Sequence, residues 1–107
     1  MWSIYMVRRR DGKIYTGISI DVEHRFEMHQ TSKTRGAKFL KGMGPLELLT
    51  QMAVGSQPLA MHIERAVKKL PKEKKEELAA DPDLLEELID VETIAYLDNK
   101  DKSLEKE

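Results

Sequence analysis

The sequence predicts an α/β (α+β) fold, a small three-stranded antiparallel sheet flanked by helices in the order β-β-α-β-α with extra C-terminal helices. Two short apolar runs, residues 2–7 and 13–19, are typical of strands, and the second alternates with a period of two residues. The Asp11-Gly12 dipeptide between them favours a tight hairpin, because glycine accepts positive φ without steric cost. An amphipathic helix follows directly.

That first helix is predicted to begin at Asp21, whose carboxylate can accept a hydrogen bond from an exposed backbone N–H. Val22, Phe26 and His29 fall at i, i+4 and i+7, so they share one face of the helix. A polar and basic loop over residues 31–36 is predicted to end it.

The rest of the chain alternates apolar segments with Gly and Pro breakers. Residues 37–41 suit either the start of a strand or a helical turn, and the run 46–54 predicts the third strand. The helices and tail that we expect after it are, in order, helices over 59–70, 72–80 and 83–97, and a charged tail from Asn99 that frays.

Length and composition indicate one small globular domain. The chain has 107 residues, 40% hydrophobic and 35% charged, which is typical of a highly charged globular protein. No apolar stretch is long enough to span a bilayer, and the absence of cysteine excludes a disulfide framework and a thiolate metal site. We therefore expect a cytoplasmic protein with no membrane partner; the oligomeric state is not predicted.

Charge is distributed unevenly along the chain. Residues 1–75 hold 15 Lys and Arg against 7 Asp and Glu, whereas residues 76–107 hold 3 against 12. This asymmetry predicts a basic working domain over 1–75 and an acidic helical extension over 76–107, packed on or trailing from the same domain. The alternative is a solvated surface without functional meaning.

The order of several residues resembles the GIY-YIG nuclease superfamily, and most closely its small stand-alone bacterial members, the YhbQ-like group. The resemblance extends from about residue 2 to residue 75 and is carried by Tyr5, Tyr15-Thr16-Gly17, Arg25 and Glu64. Both signature triplets are degenerate, with Ser3 and Thr16 in place of the usual glycine and isoleucine. Ile18 stands where some relatives carry a lysine.

Tyr5 and Tyr15, on adjacent strands of a tight hairpin, can lie opposite or diagonal to one another, so that both phenols reach one pocket. The resemblance implies that one of them, as phenolate, takes a proton from the water that attacks phosphorus; the sequence does not distinguish which. A nearby arginine and a divalent cation would stabilise that phenolate. Gly17 leaves room for backbone or substrate to approach. Alternatively, both tyrosines pack a half-polar face.

Arg25 and His29 are one turn apart on the first helix. A planar guanidinium can contact two phosphate oxygens at once, which suits the charge of a pentacovalent phosphate. The resemblance implies a phosphate or leaving-group contact for His29. The alternatives are a surface ion pair of Arg25 with Asp21 or Glu23, and a boundary role for His29.

Glu64 borders the apolar stripe of the helix over 59–70, where a partly buried carboxylate needs a partner or a metal. The resemblance implies that it binds a single Mg²⁺ or Mn²⁺ ion, with water and substrate phosphate as the other ligands. The alternative is an i, i+4 ion pair with Lys68.

Four cations between the first helix and the third strand are predicted to follow a phosphodiester backbone and to make binding salt-dependent: Lys33, Arg35, Lys38 and Lys41. A solvated loop is the alternative for each of them.

The sequence therefore predicts a metal-dependent endonuclease that hydrolyses phosphodiester bonds in DNA, with RNA left open as a substrate. Structured or nicked DNA is expected because no sequence-reading module is appended, and DNA repair or recombination is the expected setting. Two alternatives stay open. One is a nucleic-acid-binding module of the same fold with weak or no cleavage, and the other is a protein-interaction module that acts through its acidic tail.

Overall fold

Three strands and four α-helices lie along the part of the chain that the structure describes, residues 1–31 and 37–105, with side chains through Lys100. The structure is a computed structural model. Its elements in chain order are β1 (Trp2–Arg8), β2 (Ile14–Ser19), α1 (Val22–Thr31), a 3₁₀ helix (Lys38–Leu40), β3 (Glu47–Gly55), α2 (Gln57–Lys68), α3 (Lys72–Ala80) and α4 (Pro82–Glu105). This order confirms the predicted fold class.

β1 is the central strand of the sheet, whose order is β2-β1-β3 with both pairs antiparallel. Four consecutive side chains of β1 are no more than 1% exposed: Ile4, Tyr5, Met6 and Val7. A strand buried on both faces has no need of polar residues at alternate positions. This explains why residues 4–7 of the first strand form a continuous apolar run whereas the second strand, at the edge, alternates.

The two faces of the sheet carry different layers. Ile4 and Met6 point into a core formed with side chains of α2, α3 and α4, namely Ile63, Val67, Leu78, Leu85 and Ile89. Tyr5 and Val7 point to the opposite face, where they pack with Val22 of α1, Leu40 of the 3₁₀ helix and Leu46. Tyr5 therefore lies between the sheet and α1.

The predicted helix starts and turns are present. An Asp21 carboxylate oxygen accepts a hydrogen bond from the His24 N–H at 3.1 Å, as predicted for the start of α1. Gly12 has φ 91°, the left-handed conformation that glycine accepts most readily. The segment 37–41 forms a 3₁₀ turn, which is the helical alternative left open above.

α4 continues to Glu105, through the charged tail that was expected to fray from Asn99. The reason lies in the composition of the tail, since Lys, Glu and Leu are good helix formers and no Gly or Pro interrupts them. The predicted basic loop that ends α1 falls mostly on residues 32–36, which lie outside the described residues. Among the described helices, none is both long and apolar enough to cross a membrane.

Arg8 at the end of β1 is tied to α3 by two hydrogen bonds. Its guanidinium donates to the two carboxylate oxygens of Glu76 at 2.7 and 2.9 Å, with both side chains about one third exposed. The same guanidinium lowers the pKa of the Glu76 carboxyl below its ordinary value. This pair joins the first acidic residue of the C-terminal segment to the central strand.

Replacing Glu76 by Gln is expected to lower the free energy of unfolding by about 1 kcal/mol, because a bidentate arginine pair is stronger than an ordinary surface pair. Urea unfolding followed by circular dichroism measures the change. Glu77→Gln is the matched control, since Glu77 lies on the same helix in an exposed pair with Lys74 at 3.3 Å. Equal effects of the two substitutions would show that the Arg8 contact contributes nothing specific.

Candidate active site

Tyr5 lies over Gly17, its partner in the β1–β2 register. A Cβ atom added at position 17 would be 2.7 Å from both Cζ and Oη of Tyr5, and 2.9 Å from Cε2 of Tyr15. No side chain fits there, because such distances are far inside van der Waals contact. The close approach predicted at Gly17 is made in this structure by the Tyr5 phenol.

His29 of α1 connects this phenol to the backbone. Its Nε2 atom is 2.8 Å from the Tyr5 Oη, and its Nδ1 atom accepts a hydrogen bond from the Ala37 N–H at 2.9 Å. Tyr5 and His29 are 1% and 5% exposed, so both are buried. The His29 ring is thus satisfied on both nitrogens, in a site closed to water.

The direction of these hydrogen bonds follows from the Ala37 amide, which can only donate. Its partner Nδ1 must carry a lone pair, so the proton of the neutral imidazole is on Nε2 and is donated to the Tyr5 Oη. Burial, together with the nearby Arg25, lowers the pKa of His29 to about 4, and the ring is therefore neutral at neutral pH. Tyr5 is left with its own hydrogen to donate, and the neighbouring Tyr15, which raises the pKa of Tyr5, is the acceptor that we expect for it.

Opposing influences act on the Tyr5 hydroxyl. Burial and the neighbouring Tyr15 raise its pKa well above the ordinary value, and they outweigh the nearby positive charge of Arg25, which lowers it. Tyr5 is accordingly a neutral phenol at physiological pH. It is enclosed and protonated, which is the opposite of what a general base needs.

Tyr15 is placed differently, although it belongs to the same cluster. It lies diagonally across the hairpin from Tyr5, with ring centroids 6.2 Å apart, and the His29 ring meets it edge-on at 5.4 Å. The Tyr15 side chain is half-buried and lines a depression of about 300 Å³ on the protein surface. Of the two tyrosines predicted to share a pocket, Tyr15 is the one that faces solvent.

α2 reaches this depression from the other side of the edge strand β2. The Lys68 ammonium lies 5.9 Å from the centroid of the Tyr15 ring and 3.5 Å from a carboxylate oxygen of Glu64. The Glu64 side chain is 21% exposed, so the partial burial predicted for it is observed, and so is the i, i+4 pair with Lys68. Glu64 is therefore connected to Tyr15 through Lys68.

The donor set at Glu64 limits the kind of metal ion it could hold. Among the described residues, no group of three or more histidine, aspartate or glutamate side chains lies close enough together to bind an ion. One carboxylate does not make a closed protein site, but it fits an ion such as Mg²⁺ that keeps water and takes substrate phosphate as ligands. Mg²⁺ or Mn²⁺ at Glu64 stays a prediction.

The structure describes two of the four predicted basic residues. Lys33 and Arg35 lie outside the described residues, and Lys38 and Lys41 are exposed but do not line the depression at Tyr15. Besides Tyr15, the depression is lined by residues to which the sequence analysis assigned no contact with nucleic acid: Ile14, Thr16, Phe39, Lys68 and Lys75. The available signal was Phe39, an aromatic residue directly after a lysine in a basic stretch.

Comparison with known proteins identifies relatives of this chain. A family model described as the GIY-YIG catalytic domain matches residues 1–77. The UPF0213 protein YhbQ of Escherichia coli O127:H6 is 44% identical over 88 residues, covering 82% of this chain and 86% of the relative. A UPF0213 protein of Klebsiella pneumoniae is also 44% identical, over 82% of this chain and 81% of its own. The solution NMR structure of the UPF0213 protein BH0048 from Bacillus halodurans is 38% identical, covers 75% of this chain and 84% of its own, and has a TM-score of 0.48.

Gly17→Ala is expected to lower the free energy of unfolding by about 1–3 kcal/mol, because the new methyl group must displace the buried Tyr5 ring. Chemical unfolding of the purified variant measures it. Gly44→Ala is the control, since a Cβ atom there meets no atom closer than 3.8 Å. An unchanged stability in Gly17→Ala would mean that the Tyr5 ring has room to move.

His29 is expected to make the protein less stable in acid. The folded ring has its pKa lowered from 6.5 to about 4, so the unfolded state binds more protons between these values. This contribution to stability is complete above pH 6.5 and is lost as pH falls towards 4, by up to about 3 kcal/mol. Urea unfolding at several pH values in this range measures the slope.

The variant His29→Gln should lose that slope, whereas His24→Gln, at an exposed position of the same helix, should keep it. A slope that persists in His29→Gln would assign the acid sensitivity to other groups.

Proposed function

The chain belongs to the GIY-YIG family, and from that premise we propose that it is a metal-dependent endonuclease that hydrolyses phosphodiester bonds in DNA. Structured or nicked DNA is the proposed substrate, and DNA repair or recombination is the proposed setting. One observation supports this above all others. Residues singled out on two strands and one helix form a single cluster, which adjoins the depression reached by the Glu64–Lys68 pair: Tyr5, Tyr15, Arg25 and His29.

Tyr15 is the proposed general base, because it is the tyrosine of the cluster that can meet a water molecule. We expect its oxygen to receive a hydrogen bond from Tyr5, whose own oxygen receives one from His29. In this series of hydrogen bonds each donor is directed towards Tyr15, so the series would stabilise negative charge that develops on the Tyr15 oxygen. Tyr5 and His29 are then positioning residues, and Tyr15 accepts the proton of the attacking water.

Arg25 is the proposed electrostatic stabiliser of the reacting phosphate. Arg25 is half-buried and its guanidinium is close enough to the Tyr5 phenol to lower the pKa of that phenol, so its positive charge lies beside the cluster. A fixed cation in a partly dry site stabilises the charge of the transition state more strongly than one in water. Glu64 is the residue that would hold the divalent ion, which, when bound, supplies Lewis-acid stabilisation of the phosphate oxygens.

A second candidate is a nucleic-acid-binding module of the same fold with little or no cleavage. The single carboxylate and its pairing with Lys68 favour it, as do the degenerate triplets and the absence of a lysine at Ile18. RNA is an open substrate for both candidates. An interaction through the acidic tail has one supporting feature, the exposure of Val91 and Ile94 of α4, at 59% and 62%.

The purified chain is expected to cut nicked or branched DNA in the presence of Mg²⁺ or Mn²⁺, and chelation should stop the reaction. Tyr15→Phe should lower the single-turnover rate by roughly 10²- to 10⁴-fold, the usual contribution of general acid–base catalysis. Glu64→Gln and Arg25→Ala should lower it at least as much. Gel assays with end-labelled DNA and RNA substrates of matched sequence measure all three effects.

The control variant is Glu86→Gln, an exposed position on α4, which should leave the cleavage rate unchanged. Binding of the same substrates without cleavage would favour the inactive module. Cleavage that survives Glu64→Gln with an unchanged dependence on the metal ion would exclude Glu64 as the ligand.

A further inference from the structure

Two neighbouring depressions extend the candidate site along the outer edge of β2. One has a volume of about 300 Å³ and contains Tyr15 and Lys68, and the other has about 280 Å³ and contains Lys13 and Lys72. They share Ile14, Phe39 and Lys75 as common walls. We call this continuous surface the lysine groove; it begins at Tyr15 and leads away from it.

The groove carries one sign of charge. Four lysines line it, Lys13, Lys68, Lys72 and Lys75, and no acidic residue lines either depression. Two other depressions of the described surface are lined by acidic residues, one between α3 and α4 and one against α1. Because positive charge is concentrated where the tyrosine cluster opens, the groove suits a polyanion that passes through the candidate site.

An exposed aromatic ring lies at the centre of the groove. Phe39 is 42% exposed, and contacts with Arg9 and Tyr15 hold its ring in place. The guanidinium of Arg9 lies 4.2 Å from its ring centroid and also donates to the Phe39 carbonyl oxygen at 3.0 Å, while the Tyr15 ring stacks at 6.1 Å. Arg9 itself is held by the Asp11 carboxylate.

Thr16 adds an unsatisfied polar group to the same wall. It is 3% exposed and lines the depression at Tyr15, and its hydroxyl is the buried side-chain atom without a hydrogen-bond partner among the described residues. A buried hydroxyl left without a partner costs free energy, which a ligand oxygen or a bridging water would offset.

We propose that the lysine groove binds a single-stranded segment of nucleic acid, with one unpaired base against Phe39 and its phosphates along Lys68, Lys75 and Lys72. Bases inside a duplex have both faces covered by their neighbours, so an aromatic side chain can receive only a base that is unpaired or turned out. Cations beside an ordered aromatic ring are the usual combination in single-strand binding sites. The inference rests on the proposed function and specifies its substrate, a strand with unpaired bases next to the scissile phosphate.

Binding of short oligonucleotides in the absence of divalent metal tests this without requiring cleavage. Fluorescence anisotropy of a labelled single-stranded DNA and of its fully paired duplex is measured on the full chain at low salt. Phe39→Ala should weaken single-strand binding roughly 5- to 150-fold, the range reported by alanine substitution for one stacked base. Duplex binding should change less than about twofold. Phe39→Tyr, which keeps the ring, should bind the single strand like the parent protein.

Lys74 and Lys75 provide a matched pair of charges. They are adjacent on α3, but Lys75 lines the groove and Lys74 lines the acidic depression on the other side. Lys75→Ala should reduce the salt dependence of single-strand binding by about 0.7 in log–log slope, the value of one phosphate contact. Lys74→Ala should leave the slope unchanged.

Several outcomes would overturn the proposal: no measurable single-strand binding, an equal loss on single strand and duplex in Phe39→Ala, or equal effects at Lys74 and Lys75. These results are separable from those of the nuclease assay. If the protein cleaves DNA but its single-strand binding does not depend on Phe39, the groove proposal is wrong and the nuclease proposal stands. If single-strand binding depends on Phe39 but no cleavage occurs, the groove proposal is supported and the nuclease proposal is wrong.

Discussion

The hydrogen bond between the buried Tyr5 phenol and His29 is the interaction on which both the core and the candidate site depend. β1 is the central strand of a small sheet, so its side chains fill the core on both faces. Tyr5 brings a hydroxyl into that core, which is costly unless the oxygen has a partner. His29 satisfies it, and the Ala37 amide satisfies His29. The phenol also requires the absence of a side chain at Gly17. The packing of Tyr5 therefore explains why Gly17 and His29 occupy their positions beside it.

This dependence divides the two tyrosines between two tasks. A tyrosine packed in the core, with its pKa raised by burial, keeps its proton and fixes its neighbours. A tyrosine on the edge strand β2 can be part of the same cluster and still reach solvent, because nothing pairs with the outer edge of that strand in the described sheet. Each of the two sequence triplets contributes one tyrosine, but the two tyrosine hydroxyl groups therefore lie in different environments.

Local features of the fold were predictable from the sequence, and long-range ones were not. The hairpin at Gly12 and the helix start at Asp21 depend on neighbouring residues, and both are observed. Which tyrosine is buried depends on β1 becoming the central strand, and that is decided by β3, far along the chain. The continuous apolar run at residues 4–7 carried part of this information, since such a run is typical of a strand covered on both faces. The lysine groove was missed for a related reason, because its cations come from three separate segments that the fold brings together.

Charge in this protein is segregated by surface as well as by chain position. α3 illustrates this, because Lys72 and Lys75 face the groove whereas Lys74 and Glu77 face the acidic depression. The acidic C-terminal segment also contributes to the core, through Leu85 on α4 and the Glu76 contact to the central strand. A net charge of −1 is therefore compatible with a strongly basic groove, since the compensating carboxylates line a different depression. An anion approaching the groove meets the local potential of the lysines, because exposed charges that lie more than roughly one Debye length away, about 8 Å at physiological ionic strength, are largely screened.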